Sequence, residues 1–337
     1  MSAPEHRTAA GTPRRRRGKG GGERLMVPEA EFTSYYGRPI LKPPVWKVPD
    51  VPAYLYLGGL AGVSAPLAAL ADLTGWPGLR RLGRLAAAGG ATVSVGFLVH
   101  DLGRPERFPH MLRVLKVTSP LSVGSWILAP FGALAGATAA AEVLGVAPRP
   151  ARLSGLAAGA LGPALTTYTA VLVADTAVPA WHEGFRELPF VFAGSALASG
   201  GGAGLLASGD VTPARRIAVA GAVLELASTA VLERRIGFAA KAYRTGRAGA
   251  VLTAARAGTV AGALGALASG FLRGRRGRAL GAVSGLLLNA ASAATRYGIF
   301  EAGMTSARDP EYTVRPQRER LEARREDPAN GALAHTW

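Results

Sequence analysis

The residues best suited to chemistry begin at His100, where an apolar stretch ends. Residues 100–108 read HDLGRPERF, and the titratable or charged positions among them are His100, Asp101, Arg104, Glu106 and Arg107. Because histidine titrates near neutral pH and a neighbouring carboxylate tunes it, a His–Asp pair is suited to moving protons. The same residues are also typical of a capped helix end followed by a solvated loop that binds lipid headgroups. Charge alone favours that second interpretation, and both stay open here.

A second group of candidate residues follows Tyr168. Asp175 lies about two helical turns after this tyrosine, and the segment continues to Trp181, His182 and Glu183. A buried phenol and carboxylate need hydrogen-bond partners, and a quinone carbonyl is one possible acceptor. Trp181 itself is more typical of an aromatic anchor at a membrane interface. The same two interpretations apply to Tyr54 and Tyr56.

Glu225 lies near the middle of an apolar stretch. A carboxylate at that depth in a membrane is costly, and it is usually functional or paired. Glu225 is therefore the best candidate for a proton path, with a structural pair as the alternative. Asn289 predicts an interhelical hydrogen bond. Asp72 and Glu142 lie near the ends of apolar stretches, from which they could reach the interface.

Eight apolar stretches must position these side chains. Each is about 20 residues long, which is the length that crosses a hydrocarbon layer roughly 30 Å thick. A soluble helix would alternate polar and apolar faces, whereas these stretches are apolar all round. The sequence thus predicts an all-α integral membrane protein with eight transmembrane helices, at residues 51–73, 81–99, 122–146, 152–174, 188–208, 214–236, 250–271 and 278–300.

The connections between these stretches are unequal in length. With eight spans, the three long connections at 100–121, 175–187 and 237–249 fall on the same side as both termini. We call this side the long-loop face and the other side the short-turn face, and we expect a site or a docked partner on the long-loop face. The sequence predicts a basic disordered N-terminal tail at residues 1–45, a transmembrane domain at 46–304 and a polar C-terminal tail at 305–337.

The formal net charge of +17 is a possible nucleic-acid signal, but the distribution of Lys and Arg argues against one. These residues lie in the N-terminal tail and at the ends of the apolar stretches, where they contact lipid phosphates and fix topology. The flanks of the chain, with Arg38, Lys42, Lys47, Arg308 and Arg315, favour cytoplasmic termini in the inner (cytoplasmic) membrane. No cleavable signal precedes the first span.

Several kinds of redox centre are excluded by composition. The chain has no cysteine, so it holds no thiolate-bound iron–sulfur cluster of its own. None of its five histidines lies at the centre of a span, which argues against haem. No zinc, Walker or Ser-His-Asp pattern is present. The chain is therefore not catalytic alone, and electrons must enter or leave through something that it binds.

Five segments resemble the NrfD-like family of polysulfide reductase membrane subunits. The segment at 52–62 reads PAYLYLGGLAG and follows Trp46 and Pro49, and the stretch at 100–108 continues into KVTSPLSVGSW at 116–126. Tyr168-Thr169 with DTAVPAW at 175–181, and Ala307-Arg308-Asp309-Pro310, complete the set. The resemblance covers roughly residues 45–315.

The resemblance implies two four-helix bundles, with a quinone or quinol site in the first bundle. It also implies a 4Fe-4S ferredoxin-like partner subunit that exchanges electrons with a molybdopterin-type catalytic subunit, as in anaerobic respiration. Menaquinone is the expected quinone, and the family has no haem or metal in this subunit. Carried over by position, the residues around the head group or its proton route are Tyr54, His100, Asp101, Arg104, Tyr168 and Asp175. A secondary transporter and a passive membrane anchor are the alternatives.

Overall fold

A computed structural model describes residues 40–326, and this part of the chain contains helices and no strands. The α-helices are α1 (Asp50–Thr74), α2 (Pro77–Asp101), α3 (Pro120–Leu144), α4 (Pro148–Ala174), α5 (Pro179–His182), α6 (Leu188–Gly204), α7 (Thr212–Arg235), α8 (Lys241–Arg244), α9 (Gly246–Ser269), α10 (Gly274–Arg308) and α11 (Glu311–Glu326). Two 3₁₀-helices, Pro105–Leu112 and Gly237–Ala240, lie in the long connections.

Long helices occupy all eight positions at which the sequence predicts a span. Five of them, α1 to α4 and α9, are long and apolar enough to cross a membrane by length and composition. Helix α6 is shorter, with 17 residues, and α7 and α10 carry charged residues at their ends. Residues 40–326 are therefore helical throughout their regular structure, and the protein is a multi-pass membrane protein.

The short-turn face follows from residues that start and stop helices. Proline occupies the first turn of α2, α4 and α7, which begin on this face, and its missing N–H costs nothing there. Gly75 and Gly145 end α1 and α3 with φ of 81° and 68°. These left-handed values are accessible to glycine without a steric penalty, and so the chain reverses within a few residues.

The eight long helices form two four-helix bundles. The first bundle contains α1 to α4, and the second contains α6, α7, α9 and α10. They meet where α1 packs against α6 and α10, and where α4 packs against α6. In lipid, apolar contacts between helices gain little, so helices associate largely through close packing. Glycine permits this packing because it has no side chain. At Gly62 of α1, for example, an added Cβ would lie 2.9 Å from the carbonyl oxygen of Gly162.

The last long helix departs from its predicted end. Helix α10 continues to Arg308 rather than ending near residue 300. The extension is polar in part, but it packs against α5: Gly303 lies under the Trp181 ring, and the Ser306 hydroxyl accepts a hydrogen bond from the Ala180 N–H at 3.2 Å. Tertiary packing therefore carries the helix beyond its apolar stretch.

Trp181 is not an interfacial anchor, so that interpretation was wrong. Its side chain is completely buried, and its indole N–H donates to the carbonyl oxygen of Ile299 at 2.8 Å. Its ring stacks on Trp46 with a centroid distance of 5.3 Å. Trp181 thus holds the segment before α1 against the end of α10.

Asp72 and Glu142 lie at the short-turn face, but they are paired rather than extended towards solvent. Arg84 bridges them, at 3.2 Å from Asp72 and 2.7 Å from Glu142, and Arg80 contacts both at longer range. These ion pairs tie the ends of α1, α2 and α3 together. Residues 1–39 of the predicted N-terminal tail lie outside the described residues. The predicted polar C-terminal tail contains α11.

Candidate functional site

A buried carboxylate and an exposed imidazole meet where α1 begins and α2 ends, on the long-loop face. Asp50 Oδ2 lies 2.7 Å from His100 Nδ1. The Asp50 side chain is 5% exposed, whereas that of His100 is 74% exposed. A proton held between these two groups can therefore pass between the protein interior and the surface.

Asp101 has a different role from the one that the sequence predicts for a His–Asp pair. Its Oδ1 accepts a hydrogen bond from the backbone N–H of Lys47 at 2.9 Å, and the Lys47 ammonium group donates to the carbonyl oxygen of His100 at 3.3 Å. These contacts fix the segment before α1 against the end of α2. The carboxylate that contacts His100 is Asp50, which the sequence reasoning missed.

The structure brings Tyr54 and Tyr168 into contact inside the first bundle. Their hydroxyl groups hydrogen-bond to each other, and their side chains are almost fully buried. Gly124 of α3 lies against the Tyr168 ring, where a Cβ would overlap the ring. Ser94 of α2 donates to the carbonyl oxygen of Tyr54 at 3.2 Å. All four helices of the bundle therefore position this pair.

The two pairs lie along one face of α1. Asp50 and Tyr54 are four residues apart, and residues at this spacing are neighbours on a helix surface. The Asp50–His100 pair lies at the long-loop end of the first bundle, and the Tyr54–Tyr168 pair lies about one helical turn further into the bundle. We call these four residues the first-bundle site. This i, i+4 spacing of an acid and a tyrosine is the signal by which the sequence could have identified Asp50.

Arg104 and Asp175 lie on the same face of the membrane domain but outside this group. Both side chains are exposed, and neither makes a hydrogen bond or ion pair within residues 40–326. Arg104 immediately precedes the 3₁₀-helix Pro105–Leu112, and Asp175 follows the last turn of α4. The two residues therefore lie at the edge of the long-loop face, outside the first-bundle site.

Glu225 is buried in the second bundle. Its Oε1 accepts a hydrogen bond from the Thr295 hydroxyl of α10 at 2.6 Å. Asn289 makes the predicted interhelical bonds: it accepts from the Tyr56 hydroxyl at 2.8 Å and donates to the Ser199 carbonyl oxygen at 3.1 Å. The second bundle therefore contains two separate sets of polar contacts, and α1 joins the one at Asn289 through Tyr56.

The long-loop face of the second bundle carries an open cleft of about 790 Å³. It lies between α5, the 3₁₀-helix Gly237–Ala240 and α11, and its lining includes His182, Phe185 and Arg320. An ion pair of 2.9 Å with Glu311 raises the pKa of Lys241 beside it. This ion pair holds α11 against the connection that contains α8, so the walls of the cleft are fixed relative to each other.

The fold and the first-bundle site define a multi-pass helical membrane protein with an Asp–His pair and a buried tyrosine pair at one end of its first bundle. A family model described as "Polysulphide reductase, NrfD" matches residues 40–216, which is more than half of the chain. The chain belongs to this family, and the predicted resemblance is confirmed. The match contains all four residues of the first-bundle site. No curated protein matches the chain.

Membership of this family indicates a membrane subunit of a redox complex. Members of the family typically work together with partner subunits.

Proposed function

We propose that this subunit exchanges electrons between the quinone pool of the membrane and an iron–sulfur partner subunit. The observation that carries the proposal is the pair of hydroxyls of Tyr54 and Tyr168, buried one turn below Asp50 and His100. Quinone reduction takes up protons and quinol oxidation releases them, so an acid–imidazole pair close to a buried hydrogen-bonding pair suits this chemistry.

The residues of the first-bundle site fit a quinone head group. A bound quinone supplies a carrier of two electrons and two protons. The Tyr54 and Tyr168 hydroxyls have each other as their only hydrogen-bond partner within residues 40–326, and both tyrosines belong to the same hydrophobic core as Leu128 and Ala91. Phenol groups in such surroundings donate well to a carbonyl oxygen. A head group bound here would replace the contact between the two tyrosines.

Each residue of the site then has a distinct task. Tyr54 and Tyr168 orient the head group by donating to its oxygen, and the helices around them exclude water. His100 takes up or releases a proton at Nε2, because its Nδ1 is held by the Asp50 carboxylate, which keeps the imidazole in position. Asp101 fixes the segment at Lys47, which leads into α1.

The partner docks on the long-loop face in this proposal. That face carries Arg104, Arg107 and Asp175, together with the cleft beside α11. A ferredoxin-like subunit with 4Fe-4S clusters would bring a cluster close to the head group, and a molybdopterin-type subunit would complete the electron path. Menaquinone is the quinone that we propose, and Glu225 is the proposed proton route in the second bundle.

Quinone binding to the purified complex tests this function. We expect His100→Ala and Tyr168→Phe to weaken binding and to slow quinone turnover. Tyr243→Phe is the matched control, because it removes a buried hydroxyl that donates to the carbonyl oxygen of Ala180 at 2.9 Å, away from the site. Unchanged affinity and turnover in both site variants would contradict the proposal and would favour a passive anchor.

We further propose that all eight long helices cross the inner membrane, with both termini and the long-loop face in the cytoplasm. The chain has no cysteine, so single cysteines can be introduced and labelled without a background signal. A cysteine at Lys116 should react with a membrane-impermeant maleimide only after the cells are opened. One at Arg273, on the short-turn face, should react in intact spheroplasts. The opposite pattern would invert the proposed topology.

A further inference from the structure

Two oppositely charged groups lie inside the second bundle without enough hydrogen-bond partners. The Glu225 carboxylate receives one bond from Thr295, but its Oε2 is buried with no partner among the described residues. Arg296, the next residue along α10, is completely buried. Its Nη2 donates to the carbonyl oxygen of Phe192 at 2.6 Å, whereas its Nε and Nη1 have no partner within the same range.

Arg296 lies where the two bundles meet. Its guanidinium group stacks on the Phe192 ring of α6, with 3.8 Å between the central carbon and the ring centroid. On the other side it approaches α1, where a Cβ added to Gly59 would lie 3.2 Å from Nη2. Glycine at position 59 is therefore what gives the guanidinium group its space. Three helices, α1, α6 and α10, enclose this charge.

These partial contacts are too few for charged groups in a membrane interior. An unpaired polar atom in lipid or in a protein core loses the hydrogen bonds that it makes in water, and this loss is larger for a charged group than for a neutral one. Buried water commonly satisfies such atoms, and each buried water typically makes about three hydrogen bonds. A donor pair on Arg296 and an acceptor on Glu225 together offer the partners that such water needs.

We propose that Glu225 and Arg296 enclose a small cluster of buried water that acts as a proton-holding site in the second bundle. Water in the cluster donates to Glu225 Oε2 and accepts from Arg296 Nε and Nη1. Glu225 binds a proton at Oε2 to become the neutral acid and returns it to the same water. This inference deepens the proposed proton route through Glu225 and rests on it.

The charged surroundings of Glu225 are simple. From α10, Arg296 is the charged residue that faces it, beside the neutral Thr295. From α6, the close neighbour is the backbone at Gly194. Arg256 of α9 forms an ion pair with Glu233, which lies about two turns beyond Glu225 on α7 and also binds Arg244. Protonation of Glu225 therefore changes the charge of a pair, not of an extended network.

Infrared difference spectroscopy of the purified complex at two pH values, in H₂O and in D₂O, tests the titrating group. We expect a protonated-carboxyl band that shifts in D₂O, because the cluster exchanges hydrogen with solvent water. Glu225→Gln should abolish this band. The control is Glu233→Gln on the same helix, whose carboxylate is engaged by two arginines, and it should leave the band in place.

A structure of the unaltered complex, at a resolution that shows ordered water, tests the cluster without any variant. Water density within hydrogen-bond distance of Glu225 Oε2 and Arg296 Nη1 supports the inference. Direct contact of carboxylate and guanidinium with no water between them overturns it, and so does a pH-dependent carboxyl band that survives in Glu225→Gln. These results are separate from the quinone titration, because a site at Tyr168 can stand whether or not the cluster exists.

Discussion

The contact between Tyr54 and Tyr168 predicts a non-additive pair of mutations. Tyr54→Phe and Tyr168→Phe each remove one hydroxyl and leave the other buried without its partner. An unsatisfied buried hydroxyl costs about 1–3 kcal/mol, so each single variant should lose about that much free energy of unfolding. The double variant removes both hydroxyls and leaves no unsatisfied group. Its loss should therefore be no larger than that of either single variant.

Quinone binding responds differently to the same three variants. Each hydroxyl that donates to a carbonyl oxygen contributes about 0.5–1.5 kcal/mol, so each single variant should bind quinone roughly two- to tenfold more weakly. The double variant should bind more weakly than either single variant, although it is the more stable protein. This opposite ordering of stability and affinity distinguishes a binding site from a merely structural contact.

The assay combines unfolding by SDS in mixed micelles with a quinone titration on the same preparations. Tyr243→Phe serves as the control, because it should lower stability without changing quinone affinity. Additive losses of stability in the double variant would refute the contact between the two hydroxyls. Equal quinone affinity in the parent, both single variants and the double variant would refute the first-bundle site, even if the stabilities of these four proteins follow the expected order.

Two further predictions concern packing and pH. Gly303→Ala places a Cβ against the Trp181 ring and should lower the free energy of unfolding by about 1–3 kcal/mol in the same assay. Gly136→Ala is the control, because its Cβ would lie in open space. Its free energy of unfolding should lie within about 0.5 kcal/mol of the parent value or above it. Hydrogen bonds from the hydroxyl and backbone N–H of Thr212 lower the pKa of Asp210 in the folded protein. The Asp210 carboxylate therefore stabilises the fold above the unfolded pKa of about 3.9, and this contribution is lost as the pH falls further. Acidification to about pH 3 should therefore destabilise the parent slightly more than Asp210→Asn, and an equal response would contradict this.

The positions of the helices could be predicted from the sequence because each one is set by a local feature. An apolar stretch of about 20 residues bounded by proline, glycine or arginine defines a span, and all eight stretches coincide with a long helix. The end of α10 could not be predicted in this way. Its last turns are held by Gly303 and Ser306 against α5, and such tertiary contacts leave no periodic apolar pattern.

The site could be predicted only in part, for a similar reason. Tyr54, His100 and Tyr168 are recognisable by type and by resemblance, but the partner of His100 depends on which helix ends meet. Asp101 is next to it in sequence, yet its carboxylate points to Lys47, while Asp50 arrives from a different helix. Sequence adjacency was therefore a poor guide to the pairing, and the i, i+4 relation to Tyr54 would have been a better one.

Helix α1 connects the two bundles chemically as well as by packing. Tyr54 and Tyr56 are two residues apart, so they point to different sides of the helix. Tyr54 contacts Tyr168 in the first bundle, and the Tyr56 hydroxyl donates to Asn289 in the second. Asn289 lies about two turns from Arg296 on α10. A change at the first-bundle site that rotates or shifts α1 must therefore disturb the hydrogen bond at Asn289 as well. Gly59, also on α1, lies against the Arg296 guanidinium group, so in the proposals above α1 contacts both the quinone site and the charged group that faces Glu225.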